Sequence, residues 1–279
     1  MDTTFPPITP GHVHRWGGAG LVVAHRPGRG QAAPVSPLLP PHLSPAERRV
    51  VRAMPAWRQA EWVAGRVLAK RLVGEAVGAP EDDVEILPRD DGSPYVVVGG
   101  SPVPAVNVSI SHTSGHVAAA LAPEPVGVDL CETESAAAVR RVGDHAFSPA
   151  ELALIGTDRP DVLAGAWALK EAAVKADRSG IFGDAPRRVR ITGLEPPMLG
   201  GRRRAMLWRA GDAVLALVLA HRAPSPSVPP ALSSGPADCA PLGSTALVLP
   251  APPDHACQWS AWPCRGCRGT AAEELARAR

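Results

Sequence analysis

Apolar residues gather in short runs along most of this chain, and turn residues cut those runs to strand length. Gly20-Leu21-Val22-Val23-Ala24 comes first and predicts an early strand within a Pro- and Gly-rich opening of residues 1–40. Ser44-Pro45-Ala46-Glu47 then opens a helix, with serine as N-cap, proline at the first helical position and a carboxylate at the third. A longer helix carrying Arg58, Arg66 and Arg71 covers about residues 57–77. Glu85–Pro88 and Tyr95–Val98 flank an Asp-Gly turn and predict a hairpin. Val106–Ser111, Val117–Leu121 and Val126–Leu130 follow as three short strands split by turns.

Ser148-Pro149-Ala150-Glu151 repeats the earlier capped-helix signature, and a further helix carries Trp167 through Lys175. Val189–Thr192, Arg204–Trp208 and Ala213–Leu219 close the pattern as strands. The order of helices and strands, with its recurring Ser-Pro-Ala-Glu, predicts an α+β fold of two related halves. The expected division is residues 1–40 as an N-terminal extension, 41–125 as the first half and 126–222 as the second. Residues 223–279 are low in complexity and rich in Pro, and predict a disordered tail.

Composition narrows the class. With 45% hydrophobic and 20% charged residues the chain reads as an ordinary globular protein. A net charge of +2 gives nucleic-acid binding no global support. No apolar run approaches the roughly 20 residues of a membrane span, and the opening residues lack the pattern of a signal peptide, so a cytoplasmic protein is expected. Four of the five cysteines fall in the tail, where His255, Cys257, Cys264 and Cys267 could hold zinc, though their spacing fits no common site.

Charge chemistry points to one place. The chain has only three lysines against 26 arginines, and two of them, Lys170 and Lys175, lie in Trp167-Ala-Leu-Lys170-Glu171-Ala-Ala-Val-Lys175. A lysine kept in so arginine-rich a chain suits a compact charge on a flexible stem. Glu171 and Lys175 stand i and i+4 on one helix face with Trp167, whereas Lys170 is one position off it and looks secondary. Asp129 sits in an otherwise apolar strand, where a carboxylate needs a partner or a cation. His112 ends a strand. Two carboxylates with a histidine, a lysine and upstream arginines describe a Mg2+-assisted phosphate site, because magnesium takes one or two protein carboxylates and fills its sphere with phosphate oxygens and water.

The order Gly92-x-Pro94, Ser109-Ile-Ser111-His112, Gly127-Val-Asp129, Phe147-Ser-Pro-Ala-Glu151 and Trp167-x-x-Lys170-Glu171-x-x-x-Lys175 resembles the 4'-phosphopantetheinyl transferases of the larger, Sfp-like type. The resemblance covers about residues 40–222. It implies transfer of 4'-phosphopantetheine from coenzyme A to a serine of an acyl or peptidyl carrier protein, releasing 3',5'-ADP, by a monomer of two pseudo-symmetric halves with coenzyme A between them. Such enzymes often serve polyketide or nonribosomal peptide synthases. Carried over by position, Asp129 and Glu171 are expected as Mg2+ ligands and Lys175 as the pyrophosphate contact. Ser111 and His112 would hold a coenzyme A phosphate, Arg58 and Arg66 would bind phosphate, and Glu151 would help deprotonate the serine. Two departures stand out: Cys131 replaces the second acid of Gly-x-Asp-x-Glu, with Glu132 displaced to the opposite face, and Ser93 replaces the lysine of Gly-Lys-Pro. They leave open a non-catalytic homologue that binds coenzyme A or a carrier protein.

Overall fold

In the computed structural model, the described residues are 5–26, 42–156, 158–179 and 185–221. The zinc-like residues, and the tail as a whole, lie outside them. The expected mixture of helices and strands is what the chain forms. Strands β1 (Val13–Trp16) and β2 (Ala19–His25) come first, followed by helices α1 (Pro45–Arg52) and α2 (Ala56–Val77). Strands β3 (Val84–Pro88), β4 (Pro94–Val98), β5 (Ser101–Pro102), β6 (Asn107–His112) and β7 (His116–Ala122) complete this run. The second begins with β8 (Val126–Glu132), then the short helices α3 (Ala136–Arg141), α4 (Gly143–Ala146) and α5 (Pro149–Ile155) and the long α6 (Pro160–Asp177). After α7 (Ala185–Arg188) come β9 (Ile191–Leu194), β10 (Pro197–Leu199), β11 (Arg203–Ala210) and β12 (Ala213–Ala220).

The two runs use one plan. In the first sheet the order is β1-β2-β7-β6, and in the second β11-β12-β8, with every pairing antiparallel. In each, an early strand of the run (β2 or β8) pairs with the last (β7 or β12), which pairs with the one before it (β6 or β11). A short capped helix, a long helix and a hairpin intervene in both cases: α1, α2 and β3–β4 in the first run, and α5, α6 and β9–β10 in the second, which adds the short helices α3, α4 and α7. The early strand belongs to this plan, because β2 lies between β1 and β7, so residues 13–25 of the expected extension build the first sheet. Phe5 is buried in the core beneath α6.

The repeated Ser-Pro-Ala-Glu signature does the same work twice. Ser44 accepts from the Glu47 N–H while Glu47 accepts from the Ser44 N–H, and Ser148 and Glu151 repeat this capping box. Each glutamate reaches further, to a hairpin N–H: Ile86 to Glu47 at 2.9 Å and Ile191 to Glu151 at 2.8 Å. Each then pairs with a buried lysine of the long helix, Lys70 to Glu47 at 3.1 Å and Lys170 to Glu151 at 2.8 Å. Lys70 also donates to the His42 carbonyl, and Lys170 to those of Pro186 and Val189. Lys170 therefore places its three donors on three acceptors, which the planar fork of arginine could not do in the same space. Two of the three lysines are thus structural and occupy corresponding places in the repeat.

Helix α6 lies close on β8 and β12. A Cβ at Gly127 would fall 1.8 Å from the Ala172 carbonyl oxygen and 2.7 Å from the Ala176 nitrogen, both backbone atoms that cannot rotate away. Glycine there lets α6 approach the strand carrying Asp129. Gly127→Ala is expected to cost about 3 kcal/mol by overpacking, a fall in Tm of roughly 6–12 °C. A thermal melt unchanged within 2 °C would contradict this.

Candidate functional site

The site forms where the two sheets meet. Strands β6 and β8 are edges of their sheets and are not paired to each other. The hydroxyl face of β6 meets the N–H edge of β8: Val128 donates to Ser109 Oγ at 3.0 Å and Leu130 to Ser111 Oγ at 3.1 Å. Serines at i and i+2 point to one side of a strand, and here they satisfy backbone donors that would otherwise be buried without partners. Lys175 bridges the same seam from α6, donating to the carbonyls of Ile110 at 3.4 Å and Val128 at 3.1 Å.

Asp129 is the centre of this arrangement. Its Oδ1 accepts from Ser111 Oγ at 2.8 Å and from Lys175 Nζ at 2.6 Å. Glu171 stands one helical turn before Lys175, and its carboxylate takes no hydrogen bond among the described residues. Burial, with the charge of Asp129 adding to it and Lys175 opposing, pushes the Glu171 carboxyl up to about 7. A half-buried carboxyl whose proton affinity is raised by a neighbouring carboxylate makes with it a donor set suited to a divalent cation, which would reverse the shift.

His112, at the end of β6, is exposed enough to meet a ligand and faces Glu61 of α2, with Nδ1 and Oε2 3.8 Å apart. Burial lowers its pKa; Glu61 acts in the opposite direction, and Arg26, Lys175 and Arg58 lower it further. One carboxylate and three cations thus surround an imidazole held toward its neutral form. A cleft of about 620 Å³ opens beside it, with Glu61, His112, Thr113 and Ser114 on one wall and Leu130, Val139 and Trp167 on the other.

Not every residue expected here is brought to the cleft. Glu151 is buried, and its two oxygens are taken by the Ser148 and Ile191 N–H groups and by Lys170. It is not among the residues lining the cleft, and its hydrogen bonds tie it to the start of α5, to β9 and to α6. Arg66 is buried as well, donating to the Ile86 carbonyl at 2.9 Å and lying over the Trp62 ring. Burial lowers it to about 10, with Glu47 opposing, and it faces the first capping box rather than His112. Arg58 is exposed and contributes field at His112. Ser111 serves Asp129 and the seam. Burial, with Asp129 and Glu132 adding to it, pushes the Cys131 thiol up to about 12, so it stays a neutral wall of the cleft.

Arg26 and Glu61 went unnoticed in the sequence. They form an ion pair at 3.3 Å, and Arg26 also donates to the Thr113 carbonyl at 2.8 Å. The signal available was weak: an acid three residues after Arg58 on a helix with buried residues on many sides.

Comparison with known proteins gives the family. The profile described as the 4'-phosphopantetheinyl transferase superfamily matches residues 125–208. The holo-[acyl-carrier-protein] synthase of Oceanobacillus iheyensis is 33% identical over 82 residues, which cover 28% of this chain and 69% of that relative. The chain belongs to the 4'-phosphopantetheinyl transferase superfamily. It is a phosphopantetheinyl transferase. Among solved structures, Helicobacter pylori holo-[acyl-carrier-protein] synthase in complex with coenzyme A aligns with 22% identity and a TM-score of 0.30, covering 34% of this chain and 97% of that one. Within the transferase, the matched span holds Asp129, Glu171 and Lys175, whereas Arg58, Ser111 and His112 precede it. None of its described helices is long and apolar enough to cross a membrane.

Proposed function

We propose that this transferase moves the 4'-phosphopantetheine group of coenzyme A to a serine hydroxyl of an acyl or peptidyl carrier protein, with Mg2+, releasing 3',5'-ADP. In this reading it is of the larger, Sfp-like type, with residues 41–125 and 126–222 as the two halves of one catalytic unit. The observation that carries it is the seam, where Asp129 and Glu171 stand beside Lys175, with His112 and its neighbouring cations at the end of the adjoining strand β6.

The residues fit the metal. Among the described residues no three acids, histidines or cysteines form a closed cation cage, but magnesium needs only one or two carboxylates when phosphate completes its sphere. Asp129 and Glu171 would hold it, and when bound it supplies charge neutralisation on a pyrophosphate. Lys175, now on Asp129 Oδ1, brings a movable positive charge to the same place. His112, with Arg26 and Arg58 around it, would take a phosphate. Ser111 holds Asp129 in register, so that the acid keeps one orientation as charge moves near it. Such transfer depends on positioning and charge stabilisation more than on covalent catalysis, and each of these residues does one or the other.

The purified protein, Mg2+, coenzyme A and a panel of apo carrier proteins form the direct test. A carrier mass increase of one phosphopantetheine group is expected, and no increase with any carrier would overturn the reading. The part of His112 is testable separately. A phosphate beside it would counter the neighbouring cations and raise its pKa, so binding takes up protons and tightens as pH falls. Calorimetry of coenzyme A binding without Mg2+, in two buffers of different ionisation enthalpy, should show more proton uptake by the natural protein than by His112→Gln. Equal uptake would remove His112 from the phosphate.

A further inference from the structure

Glu132, three residues beyond Asp129 on β8, is buried yet belongs to neither the acid pair nor the capping boxes. Its Oε1 accepts from Ser114 Oγ at 2.6 Å and from the Gly115 N–H at 3.0 Å. Burial would push its carboxyl up, but these bonds and one from the Thr113 hydroxyl hold it below the ordinary range. Thr113, Ser114 and Gly115 are the turn that follows His112. The same turn is gripped from the end of β2, where Arg26 donates its side chain to the Thr113 carbonyl and its own N–H to the Gly115 carbonyl, each at 2.8 Å.

The two grips come from different halves of the repeat. Arg26 and the turn belong to the first sheet, whereas Glu132 belongs to the strand that carries Asp129. A strand advances about 3.3 Å per residue, so Glu132 fixes the turn at a set distance, roughly 10 Å, along the strand from the acid pair. We propose that Glu132 is a positioning residue that holds the His112–Gly115 turn of the first half in register with Asp129 of the second, and so places His112 for the phosphate of coenzyme A. It acts as a hydrogen-bond acceptor and not as a metal ligand. The inference rests on the transferase reading above and names a residue that sets the geometry of that site.

The difference between acceptor and ligand makes the test sharp. The Ser114 and Gly115 bonds end on one oxygen, which the carbonyl of glutamine can replace, whereas a ligand's charge it cannot. Glu132→Gln is therefore expected to bind coenzyme A, without Mg2+, within about threefold of the natural protein, and Glu132→Ala about tenfold more weakly. In turnover, Glu132→Ala should raise KM for coenzyme A with kcat within about twofold, and the Mg2+ concentration for half activity should not move. Ser114→Ala, which removes one donor from the turn, should weaken coenzyme A binding in the same direction, and the double variant should be no worse than Glu132→Ala alone.

A Glu132→Gln variant as damaged as Glu132→Ala, with a raised Mg2+ requirement, would make Glu132 a metal ligand and overturn the inference. Unchanged coenzyme A affinity in Glu132→Ala would also overturn it. If Glu132→Ala does not fold, Ser114→Ala decides, and natural affinity there counts against the proposal. A natural protein that transfers the group while both variants bind normally sinks the inference alone, whereas one that binds no coenzyme A removes the transferase reading with it.

Discussion

Glu171→Gln is expected to lower turnover by on the order of a thousandfold while making the metal-free protein more resistant to heat. Both effects follow from one feature. The natural carboxyl is raised to about 7, first by burial and then by the charge of Asp129. A group with a raised native pKa contributes stability that is complete below its unfolded pKa and is lost as pH rises through the native value. The metal-free protein should therefore lose stability between about pH 4.5, the ordinary value for glutamate, and about 7. Glutamine keeps the shape and removes the charge, so the variant's stability should stay flatter over that window and exceed the natural protein's at pH 8 by a few degrees. Adding Mg2+ should restore the natural protein and leave the variant unmoved. Thermal melts from pH 5 to 8, with chelator and with Mg2+, read this directly. A variant that keeps full activity, or that melts lower than the natural protein at pH 8 without metal, would count against the acid pair.

The second large effect lies away from the chemistry. Lys170→Met should cost about 3–5 kcal/mol, because it leaves the Glu151 carboxylate buried without its cation and strands the Pro186 and Val189 carbonyls. At roughly 2–4 °C per kcal/mol for a chain of this size, Tm should fall by on the order of 10 °C. Glu151→Gln should act in the same direction, since the buried lysine then lacks its counter-charge. A catalytic role predicts the reverse for Glu151→Gln, with lost turnover and an unchanged melt. Activity measured at low temperature per folded molecule separates the two, and near-natural turnover is expected. Lys70→Met offers a control, because Lys70 makes the corresponding pair with Glu47 at a distance from the acid cluster. A comparable loss there would show that the lysine–glutamate pair holds each helix to its hairpin in both halves.

Lysine scarcity was an informative pattern, but it pointed to two things at once. Lys175 belongs to the seam, and Lys70 and Lys170 to a repeated structural pair. Sequence spacing separated Lys170 from the Glu171 face without showing what lies on the other side. Cys131 and Glu132 were legible as a displaced acid motif, and the alternation of a strand placed Glu132 away from Asp129. That it accepts from a turn of the other half could not be read from β8 alone.

Local physics set much of this protein directly in its residues. Capping boxes, the Asp-Gly hairpin and the short apolar strands follow from interactions within a few positions, and the α+β order follows from them. Asp129, Glu171 and Lys175 could be read as one constellation because a strand and a helix each have a fixed period, and because the family's motif order is kept. Tertiary structure decided the rest. Arg66 and Glu151 occupy positions where phosphate and proton chemistry were expected, yet folding buries both and consumes their hydrogen bonds within the halves. Arg26, Glu61 and Glu132 gain their places only when β2, α2 and β8 converge on one turn. A side chain's chemistry depends on which partners reach it, and here those partners are as many as 87 residues away, between Arg26 and Thr113.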